Sequence, residues 1–150
     1  MRIAIDLNVL LDVAQNRAAF YQNSEEVLAR AREGEYEGVI AGHLVTTFYY
    51  LLAKFAGAAA ANIAVDGLLA DFAVVGVDKQ ILAKARKLPM KDFEDGVVAA
   101  TADSCGCDYI VTRNAPDFAD SPVLAVVPAD FLKLLPPRAP GQAADSHVGT

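Results

Sequence analysis

The sequence contains no tryptophan, two cysteines and two histidines. Cys105 and Cys107 are separated by one glycine, a spacing that is poor for a disulfide. Two thiols and the histidines His43 and His147 are also too few for a zinc framework. We therefore expect both cysteines to be free, buried or idle thiols in a reducing cytoplasm.

Long apolar runs are also missing. The most apolar stretches, such as residues 56–65, are too short to span a membrane and are interrupted by Asn62 and Asp66. The apolar start of the chain reaches a charge at Asp6, which excludes the core of a signal peptide. A length of 150 residues, 54% of them hydrophobic, fits one folded domain. We expect a cytoplasmic protein with no membrane segment.

Positive charge is scarce overall, since 13 basic residues face 19 acidic ones and the net charge is −6. This balance argues against charge-driven binding of nucleic acid by the whole surface. Five basic residues nevertheless follow one another with no acid between them: Lys79, Lys84, Arg86, Lys87 and Lys91. A solvated helix face is the more frequent meaning of such a run, and a local patch that attracts phosphate is the functional alternative.

Apolar runs alternate with segments of helical periodicity along most of the chain. Strands are predicted at residues 3–5, 37–41, 72–75, 108–112 and 123–126. Helices are predicted at residues 9–14, 24–32, 43–55, 58–69, 79–87, 92–105 and 129–135. This order predicts an α/β fold with a mostly parallel sheet covered on both faces. Residues 1–135 form the predicted domain, and the Pro-, Gly-, Ala- and Ser-rich residues 136–150 are a predicted disordered tail.

Two local expectations concern the helices. Ser24, followed by two glutamates, is a predicted N-cap. Six residues of the 43–55 helix recur at helical spacing and are expected to face the core: Leu44, Val45, Phe48, Leu51, Leu52 and Phe55. The opposite stripe of that helix is His43, Thr46, Thr47, Tyr50 and Lys54.

Acidic and polar residues follow the predicted strand ends, where ligands bind in open parallel sheets. Asp6 ends the first strand, and three polar residues follow the fourth: Thr112, Asn114 and Asp117. Asp92 and Asp95 open a helix, and their i,i+3 spacing puts both on one face. Carboxylates gathered in this way suit Mg²⁺ or Mn²⁺, which prefer oxygen ligands and leave positions for water and phosphate.

Each of these residues also has a purely structural interpretation. Asp6 fits a turn residue, Asp92 fits an N-cap, Thr112 fits an ordinary strand residue, and Asn114 fits a turn former. Asp95 would then be an acid favoured by the helix dipole, and Asp117 a cap within a loop. Their joint position at strand ends is what favours a shared site.

Three segments carry a resemblance to a known family: Asp6-Leu7-Asn8-Val9-Leu10-Leu11-Asp12, Asp92-Phe93-Glu94-Asp95 and Ile110-Val111-Thr112-Arg113-Asn114-Ala115-Pro116-Asp117-Phe118. Together they closely resemble the PIN domain, and the resemblance covers residues 1–135. It implies a three-layer α/β/α sandwich and a ribonuclease dependent on Mg²⁺ or Mn²⁺. Many bacterial members are toxins of the VapC type, held silent by a partner antitoxin.

The resemblance assigns roles to particular positions. It implies that Asp6, Asp95 and Asp117 bind the metal, with Asp92 as an extra acid. Thr112 resembles the hydroxyl that supports the site, and Asn114 stands where many members carry another aspartate. RNA would be the substrate, contacted by Arg113, Lys87 and Lys91. A homodimer is one expectation, since such toxins commonly dimerise and the 43–55 helix is rich in aromatic residues; burial of all these aromatics in the core is the alternative.

One position departs from the family. PIN domains usually carry an acid on the helix after the second strand, but no acid occurs between Glu37 and Asp66, and Thr47 fills the expected place. Fewer carboxylates weaken metal binding. The alternative function is therefore a PIN-like module that binds protein or RNA without cutting. A phosphoryl-transfer or receiver-type protein fits less well, because the Asp-x-Asp pairing of such phosphatases is absent after Asp6.

Overall fold

Residues 1–141 are described by a computed structural model. The predicted tail lies partly outside this range, at residues 142–150. Within it, the carbonyl of Pro136 accepts a hydrogen bond from Arg30 at 3.2 Å, and Arg138 forms ion pairs with Glu26 and Glu33 at 2.9 and 2.8 Å. The domain boundary at residue 135 stays a prediction.

Strands and helices alternate as the hydrophobic pattern indicates. The strands are β1 (Arg2–Ile5), β2 (Glu37–Ala41), β3 (Ala73–Val75), β4 (Tyr109–Val111) and β5 (Ala125–Val126). The helices are α1 (Leu7–Ala14), α2 (Tyr21–Arg32), α3 (Gly42–Ala56), α4 (Ala58–Asp71), α5 (Lys79–Lys87), α6 (Phe93–Ser104) and α7 (Pro128–Lys133). A short 3₁₀ helix, Ala115–Phe118, follows β4.

The five strands form one sheet in the order β3-β2-β1-β4-β5. Every pairing is parallel, with Ala4 of β1 opposite Val39 of β2 on one side and Ile110 of β4 on the other. The predicted α/β class and mostly parallel sheet are confirmed. The strand order reverses between β1 and β4, so the chain makes its topological switch there.

Helices cover the sheet in two groups. α1, α2, α3, α4 and α7 are linked by contacts with one another. α6 packs on α5 and crosses β1, β2 and β4. The α5–α6 contact is close because Ala85, Val97 and Ala100 are small and buried. The result is the predicted three-layer α/β/α sandwich, with a core centred on Ile3, Ile5, Val39, Ile40, Ile110 and Val111.

Two local expectations are wrong. α2 begins three residues before Ser24, so this serine is not the N-cap; it is fully buried and donates a 3.0 Å hydrogen bond to Asp12. Phe55 is 62% exposed, because α3 outlasts the core at its carboxyl end, whereas Leu44, Phe48 and Leu52 are buried as expected.

Both cysteines are free thiols. Their sulfur atoms lie 3.5 Å apart, well beyond the length of a disulfide bond. Among the helices of residues 1–141, none is long and apolar enough to cross a membrane.

Candidate functional site

The site lies where β1 and β4 end side by side, at the point where the strand order reverses. The backbone N–H of Asp6 donates to the carbonyl of Val111 at 3.0 Å, which joins the two strand ends. A crevice outside the carboxyl ends of parallel strands at such a switch is the usual ligand position in open α/β sheets.

Asp6 is the most buried acid of the site. Its Oδ1 accepts from the backbone N–H of Leu7 at 2.8 Å as the N-cap of α1, and its Oδ2 accepts from Thr112 Oγ1 at 2.7 Å. Burial raises the pKa of Asp6, while these hydrogen bonds and the nearby charges of His43 and Arg113 oppose the rise. A cation beside this carboxylate would favour its charged form.

Asp95 lies in the first turn of α6 and is partly buried. Burial, followed by the negative charges of Asp6, Asp92, Asp117 and Glu94, raises its pKa to about 6. Asp92 is the N-cap of α6, where its Oδ1 accepts from the backbone N–H of Asp95 at 2.9 Å. Asp92 therefore is the N-cap that the structural interpretation proposes. Its negative charge also contributes to the raised pKa of Asp95.

Asp117 is exposed on the 3₁₀ helix and reaches the same rim. Together with Asp92 and Asp95 it lines an open cleft of about 380 Å³, which Lys91 and Asp120 also border. Sequence motifs from three distant parts of the chain thus supply one acidic region: Asp6 after β1, Asp95 on α6 and Asp117 after β4.

Oxygen donors of this kind fit a hydrated divalent ion. Within residues 1–141, no cage of three or more Asp, Glu, His or Cys side chains that could hold a metal ion is formed. Mg²⁺ does not need such a cage, since proteins usually hold it through one or two carboxylates while it keeps several waters. The neighbouring carboxylates repel the charged form of Asp95 and so raise its pKa. A cation shared by these carboxylates would offset that repulsion.

The supporting residues differ in what they contact. Thr112 is fully buried and donates a hydrogen bond to Asp6. Asn114 is exposed, and its backbone N–H donates to Thr112 Oγ1 at 3.1 Å; within residues 1–141 its side chain forms no hydrogen bond to the acids. Thr47 is half-buried and donates weakly to the carbonyl of His43, one turn earlier on its own helix, at 3.5 Å.

The predicted RNA-contacting residues occupy two environments. Lys87 and Lys91 are exposed, and Lys87 lies in the last turn of α5, where positive charge complements the helix dipole. Arg113 is only 23% exposed, because its guanidinium pairs with buried Asp12 at 3.1 Å and stacks on Phe20 at 4.1 Å. Contact of these three residues with RNA stays a prediction.

Sequence reasoning missed four residues at or beside the site. Asn8 donates to both Asp6 and Thr112 at 3.4 Å and accepts from the backbone N–H of Arg113 at 3.1 Å. The position of Asn8, two residues after Asp6, was the feature of the sequence that could have indicated its role. Glu94 and Asp120 are acids next to assigned ones. His43 begins the polar stripe of α3 and lies near Asp6 and Glu94.

Comparisons with known proteins agree on one fold. The family model described as PIN domain matches residues 2–116. No curated protein sequence matches the chain. Among solved structures, DNA-bound VapBC from Salmonella typhimurium is 17% identical, with a TM-score of 0.67 over 85% of this chain and 98% of that chain. FitAcB from Neisseria gonorrhoeae is 19% identical, with a TM-score of 0.64 over 85% and 98%.

A third similar structure is the Mycobacterium tuberculosis toxin VapC20, described as cleaving the sarcin-ricin loop. It is 16% identical, with a TM-score of 0.60 over 72% of this chain and 86% of that chain. At such identities the likeness concerns the fold. The residues at the strand ends must carry any statement about chemistry.

Proposed function

Because the chain belongs to the PIN domain family, we propose that it is a divalent-metal-dependent ribonuclease that hydrolyses RNA phosphodiester bonds. The observation that carries the proposal is that Asp95 and Asp117, from distant parts of the chain, line one cleft, where the charge of Asp6 also acts on Asp95. Acids that repel one another at a strand-end crevice are suited to a cation and a phosphate.

Asp6 is the anchor of this proposal. Thr112 and the backbone of Leu7 hold its carboxylate from two sides, so its orientation is fixed before any ligand arrives. Asp95 and Asp117 complete the acidic rim around Mg²⁺ or Mn²⁺. Such an ion, when bound, lowers the pKa of a water molecule and stabilises negative charge on a phosphodiester undergoing in-line attack.

Basic side chains near the cleft can contact the RNA substrate, and polar side chains position Asp6. The acidic cleft opens beside Lys91, and Lys87 lies on the preceding helix, so both exposed ammonium groups can approach an RNA backbone. Arg113 contributes first by its charge, which lowers the pKa of Asp6. Thr112 and Asn8 position Asp6 rather than touch RNA.

We further propose that the protein is the toxin of a toxin–antitoxin pair in the cytoplasm. The proposal is supported by solved structures of similar fold: one is described as a toxin–antitoxin complex from Klebsiella pneumoniae, and another is the toxin VapC20. A homodimer is part of it, supported by the aromatic side chains of Tyr50 and Phe55, which are 58% and 62% exposed on α3.

Cleavage of RNA by the full-length protein in Mg²⁺ or Mn²⁺ tests the proposal. Asp6→Ala should abolish cleavage, and so should EDTA. Asp130→Ala is a matched control, because this exposed acid lies on α7 and pairs with nearby Lys133. Full cleavage by Asp6→Ala, or in EDTA, would contradict a metal-dependent ribonuclease.

A second function is favoured by one observation. α3 carries no carboxylate, and Thr47 donates to its own helix instead. A PIN-fold module that binds protein or RNA without cutting would have that property. Calorimetry discriminates the two: binding of Mg²⁺ or Mn²⁺ that is lost in Asp6→Asn and Asp95→Asn counts against the non-cutting module.

A further inference from the structure

The two cysteines of the chain meet in the turn between α6 and β4. Cys105 is the C-cap of α6, and Cys107 lies two residues before the start of β4. Their sulfur atoms are 3.5 Å apart, in thiol–thiol hydrogen-bond contact. The sequence contains no other cysteine, so any disulfide within one chain must join this pair.

The turn that brings the sulfur atoms together is a helix C-cap with a left-handed glycine. Gly106 has a φ of +70°, a conformation that residues with a side chain rarely adopt. The backbone N–H of Cys107 donates to the carbonyl of Ala102 at 2.9 Å. The backbone N–H of Gly106 donates to the carbonyl of Asp103 at 3.3 Å, which completes a Schellman motif. Because the chain reverses at Gly106, Cys107 returns towards Cys105, although the spacing alone is poor for a disulfide.

Arg2 ties this turn to the sheet. Its guanidinium donates to the carbonyl of Cys105, and its backbone N–H donates to the carboxylate of Asp108 at 2.9 Å. The carbonyl of Arg2 accepts from the backbone N–H of Asp108 at 2.7 Å. The chain is thus held on both sides of Gly106, which keeps the two sulfur atoms close together in the folded protein.

The two thiols differ in how easily a dissolved reagent reaches them. Cys107 is 8% exposed and packs in the hydrophobic core, whereas Cys105 is half-buried. Burial raises the pKa of Cys107, and the neighbouring thiol raises it further, while the charge of Arg2 opposes the rise. Cys107 therefore stays protonated at neutral pH, and Cys105 is the sulfur that an oxidant meets first.

We propose that Cys105 and Cys107 are a redox modification site, at which a low-molecular-weight disulfide of the glutathione type forms a reversible disulfide within the folded chain. The sulfur atoms must approach from 3.5 Å to about 2 Å, the length of that bond. A bond that closes so short a loop constrains the unfolded chain little and so adds little stability. The pair is therefore suited to reversible modification rather than to holding the fold together. It lies at the amino ends of β1 and β4, so its oxidation does not depend on a metal at their carboxyl ends.

The bond forms by two successive thiol–disulfide exchanges. The thiolate of Cys105 attacks one sulfur of oxidised glutathione, which forms a mixed disulfide and releases one glutathione thiolate. That thiolate takes up the proton lost by Cys105. The sulfur of Cys107 then attacks Sγ of Cys105 and releases the second glutathione, which takes up the proton of Cys107. The two cysteines have lost two electrons and two protons, and one oxidised glutathione has become two reduced molecules.

Incubation of the full-length protein with oxidised glutathione, followed by alkylation and mass spectrometry, tests the proposal. The natural chain should lose two hydrogen atoms and both alkylatable thiols, and dithiothreitol should restore them. Cys107→Ser should stop as a mixed disulfide that carries one glutathione on Cys105. Cys105→Ser should stay unmodified over the same time, because its remaining thiol is buried.

The decisive measurement is made on the natural chain, so it does not depend on how well the serine variants fold. Circular dichroism should show that the chain stays folded while the bond forms. Retention of both thiols, or a mixed disulfide at Cys105 that never closes, would mean that the cysteines only fill space and would overturn the proposal. Closure only in urea, or a disulfide between two chains on a non-reducing gel, would overturn it as well.

Discussion

Thr112 Oγ1 donates a 2.7 Å hydrogen bond to Oδ2 of Asp6 and so joins the ends of β4 and β1 across 106 positions of the chain. Thr112 is fully buried, and the backbone N–H of Leu7 binds the other oxygen of Asp6. The carboxylate is therefore fixed by two adjacent strands at the switch point of the sheet. This arrangement makes Thr112 a positioning residue for Asp6.

Thr112→Val removes that hydrogen bond with little change in shape. We expect the free energy of unfolding to fall by about 1.5–3 kcal/mol, the range for a hydrogen bond to a charged group. The pKa of Asp6 should rise, because the Thr112 hydroxyl lowers it. Urea denaturation and NMR titration of the carboxyl carbon measure the two effects.

Thr101→Val is the matched control for this change. Thr101 is equally buried, but its hydroxyl donates to the carbonyl of Val97 within α6. This variant should lose about 1 kcal/mol of stability and leave the pKa of Asp6 unchanged. Equal shifts of that pKa in both variants would contradict the positioning role.

Among the acids outside the site, Asp12 should be the one whose substitution lowers the free energy of unfolding most. It is fully buried and holds Ser24 at 3.0 Å, Arg113 at 3.1 Å and Arg17 at 3.6 Å. Asp12→Ala leaves Arg113 partly buried without its partner, so we expect the free energy of unfolding to drop by about 3–5 kcal/mol. Thermal or urea unfolding measures the loss.

An exposed ion pair provides the comparison. Asp130→Ala removes the partner of Lys133, whose side chain is 77% exposed. Screening by water limits that change to about 1 kcal/mol or less. A loss in Asp12→Ala no larger than this would mean that the Asp12 cluster is not a stabilising element.

The fold was predictable because the core is regular. The apolar runs at Ile3–Ile5 and Val39–Ile40 contain no polar interruption, and the cap Asp92 marks a helix start that the structure keeps. Ser24 broke the pattern because a long-range partner, Asp12, outweighed its preference for a helix N-terminus. A tertiary contact of that kind leaves no local signal.

The site was predictable only in part, for the same reason. Acids after strands are visible in the sequence, so Asp6, Asp95 and Asp117 could be gathered from the expected topology. The role of Arg113 depends on Asp12, a residue two turns into α1 that no pattern connects to it. His43 was assigned to a polar stripe, because partial burial of a ring at the start of α3 depends on how α6 packs.

Metal-free protein should become less stable as the pH rises through the titration of Asp95. Its pKa is about 6 in the folded state and about 3.9 in an unfolded chain. The folded state therefore binds more protons between these values, and the contribution is complete below about pH 4 and lost above about pH 6. Urea midpoints measured in EDTA across this range should fall for the natural chain more than for Asp95→Asn.

Asp6→Asn is the control for the cause of that shift. Among the charges acting on Asp95, that of Asp6 contributes most after burial, so its removal should lower the pKa of Asp95. An unchanged pKa of Asp95 in Asp6→Asn would contradict the proximity of these two residues.

The affinity of the natural chain for Mg²⁺ should increase as the pH rises past 6, because protons compete with the ion for the carboxylates.

Lys87 and Lys91 should set the salt dependence of RNA binding. Both are exposed, and Lys91 borders the acidic cleft. A lysine that neutralises one phosphate of a single strand contributes about 0.7 to the slope of log affinity against log salt concentration. Lys87→Gln and Lys91→Gln should each reduce the slope by about that amount, as measured by fluorescence anisotropy of labelled RNA in EDTA, which prevents cleavage. Lys133→Gln, at an exposed position of α7, should leave the slope unchanged. If all three variants behave alike, the basic run is a solvated helix face and RNA is held elsewhere.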